Sequence, residues 1–341
     1  MLGIHLGKGK HKEFAVGVFQ NDFSDEEATF TWAGYNIVSQ SSSSYLGIPS
    51  IGCLFNNATQ KVMDGRMPFS IPSSFRVLLQ CQKFSHHLTK SMAACLEDAR
   101  GVSAHMVRLL EDEWTNTQHL IGFDHADALD RLNVLFVTLE IQQFYMLPLP
   151  NYDPETLKPN ILRAYNTAQT VIRETVEFDR EANFLLHAPH FYFRGLICAA
   201  CTICKVVRST YKNLIDRKQL DEATANMVAM LRRSIIMEGD LATRLLTLLE
   251  PWLQVALDPE WDEDPISNFT HRLSASPTLD CLARWKHDQE FLLKAKNQPP
   301  PPDGMDGTST LAMSDPMQFI DWGFMDDFNW NFDSNILSNG T

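Results

Sequence analysis

The sequence predicts an all-α fold, in which stacked helical hairpins form one multi-helix domain followed by a disordered acidic C-terminal tail. From about residue 72 onward, apolar residues recur at three- and four-residue spacing, which is the period of an amphipathic helix. Strict alternation of apolar and polar residues, the pattern of a half-buried strand, is missing. A run of prolines near residue 300 then ends the helical pattern.

Several segments carry the helical period in turn. The first begins at Ser73 or Ser74, because a serine hydroxyl can accept a hydrogen bond from the free amides of a first helical turn. Leu132, Phe136 and Leu139 share one stripe of the second. The predicted helical segments are residues 73–95, 129–143, 157–178, 189–208 and 219–237.

A helical hairpin is predicted around Gly239. Glycine suits a left-handed cap at the end of the preceding helix. Asp240 suits the N-cap of the next helix, LATRLLTLLEPWLQVAL. We therefore expect antiparallel neighbours on either side of this turn.

The chain divides at the proline run NQPPPPDG, residues 297–304. Consecutive prolines form a stiff spacer, so the helical domain is predicted to cover residues 1–296 and the tail residues 297–341. The tail contains seven aspartates and no Lys, Arg or Glu. Such a short, strongly acidic segment does not fold by itself.

Charge and cysteine content limit the function classes. The net charge of -13 argues against direct binding of nucleic acid by this chain, since phosphates need a basic surface. Seven cysteines in apolar context, an odd number, predict a reducing compartment without disulfides. The longest uncharged apolar run, residues 195–204, is far shorter than the roughly 18 residues of a membrane-spanning helix, so no membrane association is expected.

Motifs for enzymatic chemistry are missing from the sequence. There is no nucleophile elbow, phosphate-binding loop, HExxH pair or glycine-rich dinucleotide turn. The prediction is that the protein is not an enzyme and that this chain binds no cofactor.

The cysteines Cys198, Cys201 and Cys204 form the pattern CxxCxxC. A metal site would need a fourth ligand and a loop that lets the thiolates converge. On a helix the same spacing places three small apolar side chains along one stripe, so we expect a buried core face.

Two further groups keep a metal-dependent all-α enzyme as an alternative. His187 and His190 lie three residues apart but have no further ligand at fixed spacing. Asp326 and Asp327 are similar to the aspartate-rich motif of helical terpene synthases, but Trp330 occupies the position of the later aspartate.

Lys205, Arg208 and Lys212 lie on one predicted helical face. They are candidate contacts for an anionic effector. A solvated helix surface is the simpler interpretation of the same pattern.

The order of several motifs resembles the middle homology region of fungal zinc-cluster transcription factors. LGIHLG near the start is followed by FSDEEATFTWAGYNIVSQSSSSYLGIPSIG, similar to that family's LGLH-like element, tryptophan-bearing helix and Gly-x-Pro turn. The corresponding residues are Trp32, Gly47 and Pro49. The family's arginine-rich approach to the tryptophan is replaced by Glu26-Glu27-Ala28-Thr29.

Later motifs resemble one branch of the same family, the regulators of leucine biosynthesis and of secreted proteases. They are APHFYFRGLICAACTICKVVRS and RRSIIMEGDLATR, in which Arg233-Ser234, Asp240 and Arg244 have familiar spacing. An ion pair four residues apart on a helix also explains Asp240 and Arg244.

The resemblance implies a nuclear regulator of transcription by RNA polymerase II. In complete members an N-terminal module with six cysteines around two zinc ions reads DNA; no such spacing occurs here. DNA contact and zinc are therefore expected only through a module upstream of Met1, and a homodimer is an expected form. The alternative is a partner protein without a DNA reader that modulates a full-length relative.

The tail has the composition of an acidic activation segment. Its aspartates repel one another and keep the aromatic rings in solvent, available to a coactivator groove. Alternatively, the tail packs back on the helical domain as a latch. The six predicted contact residues are Phe319, Trp322, Phe324, Phe328, Trp330 and Phe332.

Overall fold

The computed structural model describes residues 23–50, 55–99, 101–121, 127–256, 266 and 272–285. These ranges contain α-helices and short 3-10 turns but no β-strand, so the predicted all-α class is confirmed. The helices are α1 (Asp25–Leu46), α2 (Asn57–Met63), α3 (Ser73–Ala99), α4 (Ala104–Ile121), α5 (Ala128–Gln143), α6 (Pro154–Ala182), α7 (Phe184–His187), α8 (His190–Arg208), α9 (Arg217–Arg233) and α10 (Leu241–Ala256).

Both ends of helix α1 have clear local signals. Ser24 accepts a hydrogen bond from the backbone N–H of Glu27, and the Glu27 carboxylate accepts one from the backbone of Ser24, which is a capping box. Gly47 ends the helix in the left-handed conformation, with φ 63° and ψ 38°. The tryptophan-bearing helix and the glycine turn implied by the resemblance are both present.

Helix α6 lies at the centre of the described fold and packs against α5, α8 and α9. Its buried face repeats at helical spacing through Ile161, Ala164, Ala168 and Val171, all fully buried. Alanines on this face let neighbouring backbones approach closely, and Gly195 of α8 does the same against the Phe136 ring. The core is therefore built of closely packed helices, as the period predicts.

The hairpin around Gly239 forms, but its first helix ends earlier than predicted. Helix α9 stops at Arg233, with Ser234 as its C-cap, so Gly239 lies in the turn, at φ 77°, rather than at the helix end. Asp240 caps α10 by accepting from the backbone N–H of Thr243 at 2.8 Å. Arg244 donates to the Gly239 carbonyl at 2.6 Å.

Residues 272–285, called the closing segment below, return to the middle of the fold. A 3-10 turn, Leu273–Ala275, contacts α1, α3 and α5. Residues 276–285 are helical, and Asp280 and Cys281 reach α8, where Lys205 pairs with Asp280. The segment thus connects the first helices of the chain to α8.

The remaining predictions about domain organisation concern residues outside the described ranges. The boundary near residue 296, the tail and the LGIHLG element are among them. Within the described ranges, every helix is too short or too polar to span a bilayer.

Gly47→Ala is expected to lower the free energy of unfolding by at least about 2 kcal/mol. A Cβ atom at this left-handed position would lie 1.9 Å from the backbone carbonyl oxygen of Arg272 in the closing segment. Urea denaturation of the variant and the wild type measures the difference.

Gly34→Ala is the matched control, because Gly34 lies inside the same helix and a Cβ there meets nothing within 4 Å. Replacing a mid-helix glycine by alanine should raise stability by roughly 0.5 to 1 kcal/mol. Equal effects of the two substitutions would contradict the close contact between Gly47 and the closing segment.

Candidate functional site

A cavity of about 200 Å³ lies where α1, α3, α5, α8 and the closing segment meet. Most of its wall is apolar, with Ile37, Phe136, Val137 and Phe191 among the lining residues. Apolar cavities with a few placed polar groups are the usual form of small-molecule sites. The cavity is therefore the candidate functional site of the helical domain.

Glu140 of α5 is the acidic group of this cavity. The Ser85 hydroxyl donates to its carboxylate at 2.6 Å and the Ser274 hydroxyl at 3.3 Å, and Ser44 donates a third hydrogen bond. Burial raises the pKa of the Glu140 carboxyl above its ordinary value, and these three hydroxyls oppose that rise. Helices α1, α3 and the closing segment each supply one serine.

Arg194 of α8 is the basic group of the cavity. Its guanidinium carbon lies 3.9 Å from the centre of the Tyr45 ring, a cation–π contact that fixes the guanidinium plane. Its buried Nε atom has no hydrogen-bond partner in the structure. Burial raises the pKa of Tyr45, against the opposing charge of Arg194, so the phenol stays neutral at neutral pH.

The three predicted basic residues do not share one face of α8, because the helix ends at Arg208 and Lys212 lies in the 3-10 turn Thr210–Leu214 that follows. None of them lines the cavity. Lys205 is buried and forms its ion pair with Asp280, Arg208 is also buried, and Lys212 is half-buried. For Lys205 the solvated-surface interpretation was wrong, because the closing segment covers this side of the helix. Effector binding by the three residues stays a prediction.

Two of the three cysteines of the α8 pattern lie in the core as predicted, whereas Cys198 is half-buried and lines the cavity. Cys201 and Cys204 are buried, and both contact Cys281 of the closing segment. These contacts and burial raise the pKa of both thiols, so they stay protonated. Within the described part of the chain, no group of histidines, cysteines and carboxylates is arranged to hold a metal ion.

The histidine pair and the tail residues are the remaining site candidates predicted from the sequence. His187 lies in the last turn of the short helix α7, and His190 is the first residue of α8. His187 is not among the residues that line the cavity. The six tail aromatics, with Asp326 and Asp327, lie outside the described residues, so their predicted role stays a prediction.

No known family model matches the chain, and no solved structure matches it. Among curated proteins it is similar to the "Regulatory protein LEU3" of Saccharomyces cerevisiae, with 20% identity over 281 residues. The match covers 70% of this chain and 31% of the relative, so the chain spans about a third of that protein's length. The name of that relative describes it as a regulatory protein.

The burial of Glu140 predicts a specific pH dependence of stability. The pKa of Glu140 in the folded state lies above its unfolded value, so the folded state binds the proton more tightly. The stabilisation of the folded state by this proton is complete below the ordinary glutamate pKa and is lost as the pH rises through the raised pKa of Glu140. Relative to the wild type, Glu140→Gln should therefore gain stability with rising pH, by about 1.4 kcal/mol for each unit of raised pKa.

Urea denaturation of both proteins at several pH values between about 4 and 8 measures this difference. Glu177→Gln, which makes the same change on the exposed face of α6, is the control. If the stabilities of Glu140→Gln and Glu177→Gln depended on pH in the same way, the effect could not be assigned to the buried carboxyl of Glu140.

Proposed function

We propose that the chain is the regulatory and activation region of a fungal zinc-cluster-type regulator of transcription by RNA polymerase II, acting in the nucleus. The observation that carries the proposal is the likeness to a regulatory protein over 70% of this chain. The all-α fold agrees with it. DNA contact belongs to a zinc-containing module outside this sequence.

In this proposal residues 297–341 form the activation segment. Their seven aspartates and regularly spaced aromatic residues are the composition that coactivator grooves bind. If the segment folds on binding, Phe324, Phe328 and Phe332 follow at four-residue spacing and form one helical face. The coactivator would bury these rings, while the aspartates remain in solvent.

The helical domain supplies regulation. A cavity formed by four helices and the closing segment can respond to a small molecule. A bound molecule stabilises the arrangement of these elements that binds it better. The domain would restrain the tail in one arrangement and release it in another.

Fusing residues 297–341 to an unrelated DNA-binding domain is expected to activate a reporter gene. Replacing Trp322, Phe324, Phe328 and Trp330 by alanine should reduce the output to that of the DNA-binding domain alone, because these rings supply the apolar contact area. Reporter activity, normalised to fusion-protein abundance, is the measurement.

Asn329→Ala with Asn331→Ala is the matched control, since it shortens two side chains in the same stretch and leaves every ring in place. It should keep most of the activity. A silent wild-type fusion would rule out activation by the tail.

A further inference from the structure

We propose that the cavity binds a small linear molecule with a carboxylate at one end, a protonated amine at the other and a hydrocarbon chain between them. The cavity presents one acidic and one basic side chain, Glu140 and Arg194, on an otherwise apolar wall. Within the described part of the chain, no ion pair joins the two groups. Partly buried opposite charges that do not pair with each other are costly, and a ligand with both complementary groups offsets that cost.

Glu140, Arg194 and Cys198 all line this cavity. This thiol is one helical turn from Arg194 on α8, and both Glu140 and Arg194 act on its pKa, although burial is the main cause of its rise. The cavity therefore carries both charged groups on one mostly apolar wall.

Arg194 is suited to receive the carboxylate. Stacking on Tyr45 fixes its guanidinium plane, and the side chain lines the cavity. A guanidinium held in one plane binds both oxygens of a carboxylate through two parallel hydrogen bonds. A lysine could not provide this paired geometry.

Glu140 is suited to receive the amine. The two oxygens of a carboxylate offer about four acceptor positions, and the hydroxyls of Ser44, Ser85 and Ser274 occupy three of them. The remaining position can accept a hydrogen bond from an ammonium group. Such a partner favours the ionised carboxylate that burial disfavours.

The apolar wall and the size of the cavity restrict the ligand further. Phe136, Val137 and Phe191 suit a methylene chain. The volume, about 200 Å³, is smaller than the roughly 300 Å³ at which drug-sized pockets begin. A dicarboxylate would place a second negative charge near Glu140, and a diamine would place a positive charge near Arg194, so both should bind poorly.

Binding itself does not depend on the proposed function. Its consequence does, because the ligand becomes an effector only if the helical domain regulates transcription. Absence of binding to the purified chain would therefore not affect the tail-fusion reporter result, and a silent reporter would not affect the binding result.

The test is calorimetric titration of the full chain with γ-aminobutyrate, δ-aminovalerate and ε-aminocaproate, which differ in chain length. Caproate lacks the amine, adipate replaces it by a second carboxylate, and hexamethylenediamine lacks the carboxylate. We expect at least one ω-amino acid to bind at least tenfold more tightly than the corresponding monocarboxylate. Adipate and hexamethylenediamine should show no binding in the same concentration range.

Two substitutions test the two ends of the site. Arg194→Leu should abolish binding, with Arg180→Leu on the exposed surface of α6 as the control for loss of a guanidinium. Glu140→Gln should bring the affinities for the amino acid and the monocarboxylate close together, a change of preference that unfolding would not produce. Should Arg194→Leu fail to fold, Arg194→Lys replaces it and should weaken binding at least tenfold.

Three results would overturn the proposal. They are no binding of any ω-amino acid at millimolar concentration, a preference for adipate, or an unchanged preference in Glu140→Gln.

Discussion

The packing of the closing segment into the middle of the helices is the contact on which the rest of the structure depends. Its backbone at Arg272 approaches Gly47 so closely that a Cβ atom would clash, Ser274 donates to Glu140 of α5, and Asp280 pairs with Lys205 of α8. These contacts join parts of the chain that are far apart in sequence. The entropic cost of closing a loop grows only slowly with the length of the loop. Burial of large side chains of the segment, such as Trp285, offsets that cost.

The buried carboxylates of the fold differ in whether they have a cationic partner. The Glu111 carboxylate accepts hydrogen bonds from Gln142, Tyr145 and Arg163, so its charge has a cationic partner. Asp179 is paired in the same way with Arg233. Glu140 has only hydroxyl partners, and a buried carboxylate without a cation is unfavourable. Asp130 is also buried without a cationic partner among the described residues, so what distinguishes Glu140 is its position in the wall of the cavity.

The sequence predicted the main helices because their buried faces repeat at a regular local period. Helix α4 was missed, although Val107, Leu110 and Trp114 carry the same spacing and are buried. The end of α9 was misplaced because Gly239 lies in a turn and not at a helix cap. The cavity could not be predicted, because Ser85, Glu140 and Ser274 come from segments with no common local pattern. The burial of Lys205 depends likewise on Asp280, far along the chain.

The proposed restraint of the tail by the helical domain is tested most directly by comparing two fusions to the same DNA-binding domain in one reporter assay. One carries residues 1–341 and the other residues 297–341 alone. We expect the whole chain to give the lower output at equal abundance, and Gly47→Ala, which disturbs the closing segment, to raise it toward that of the tail. Equal output from the two fusions, unchanged by Gly47→Ala, would contradict regulation of the tail by this fold.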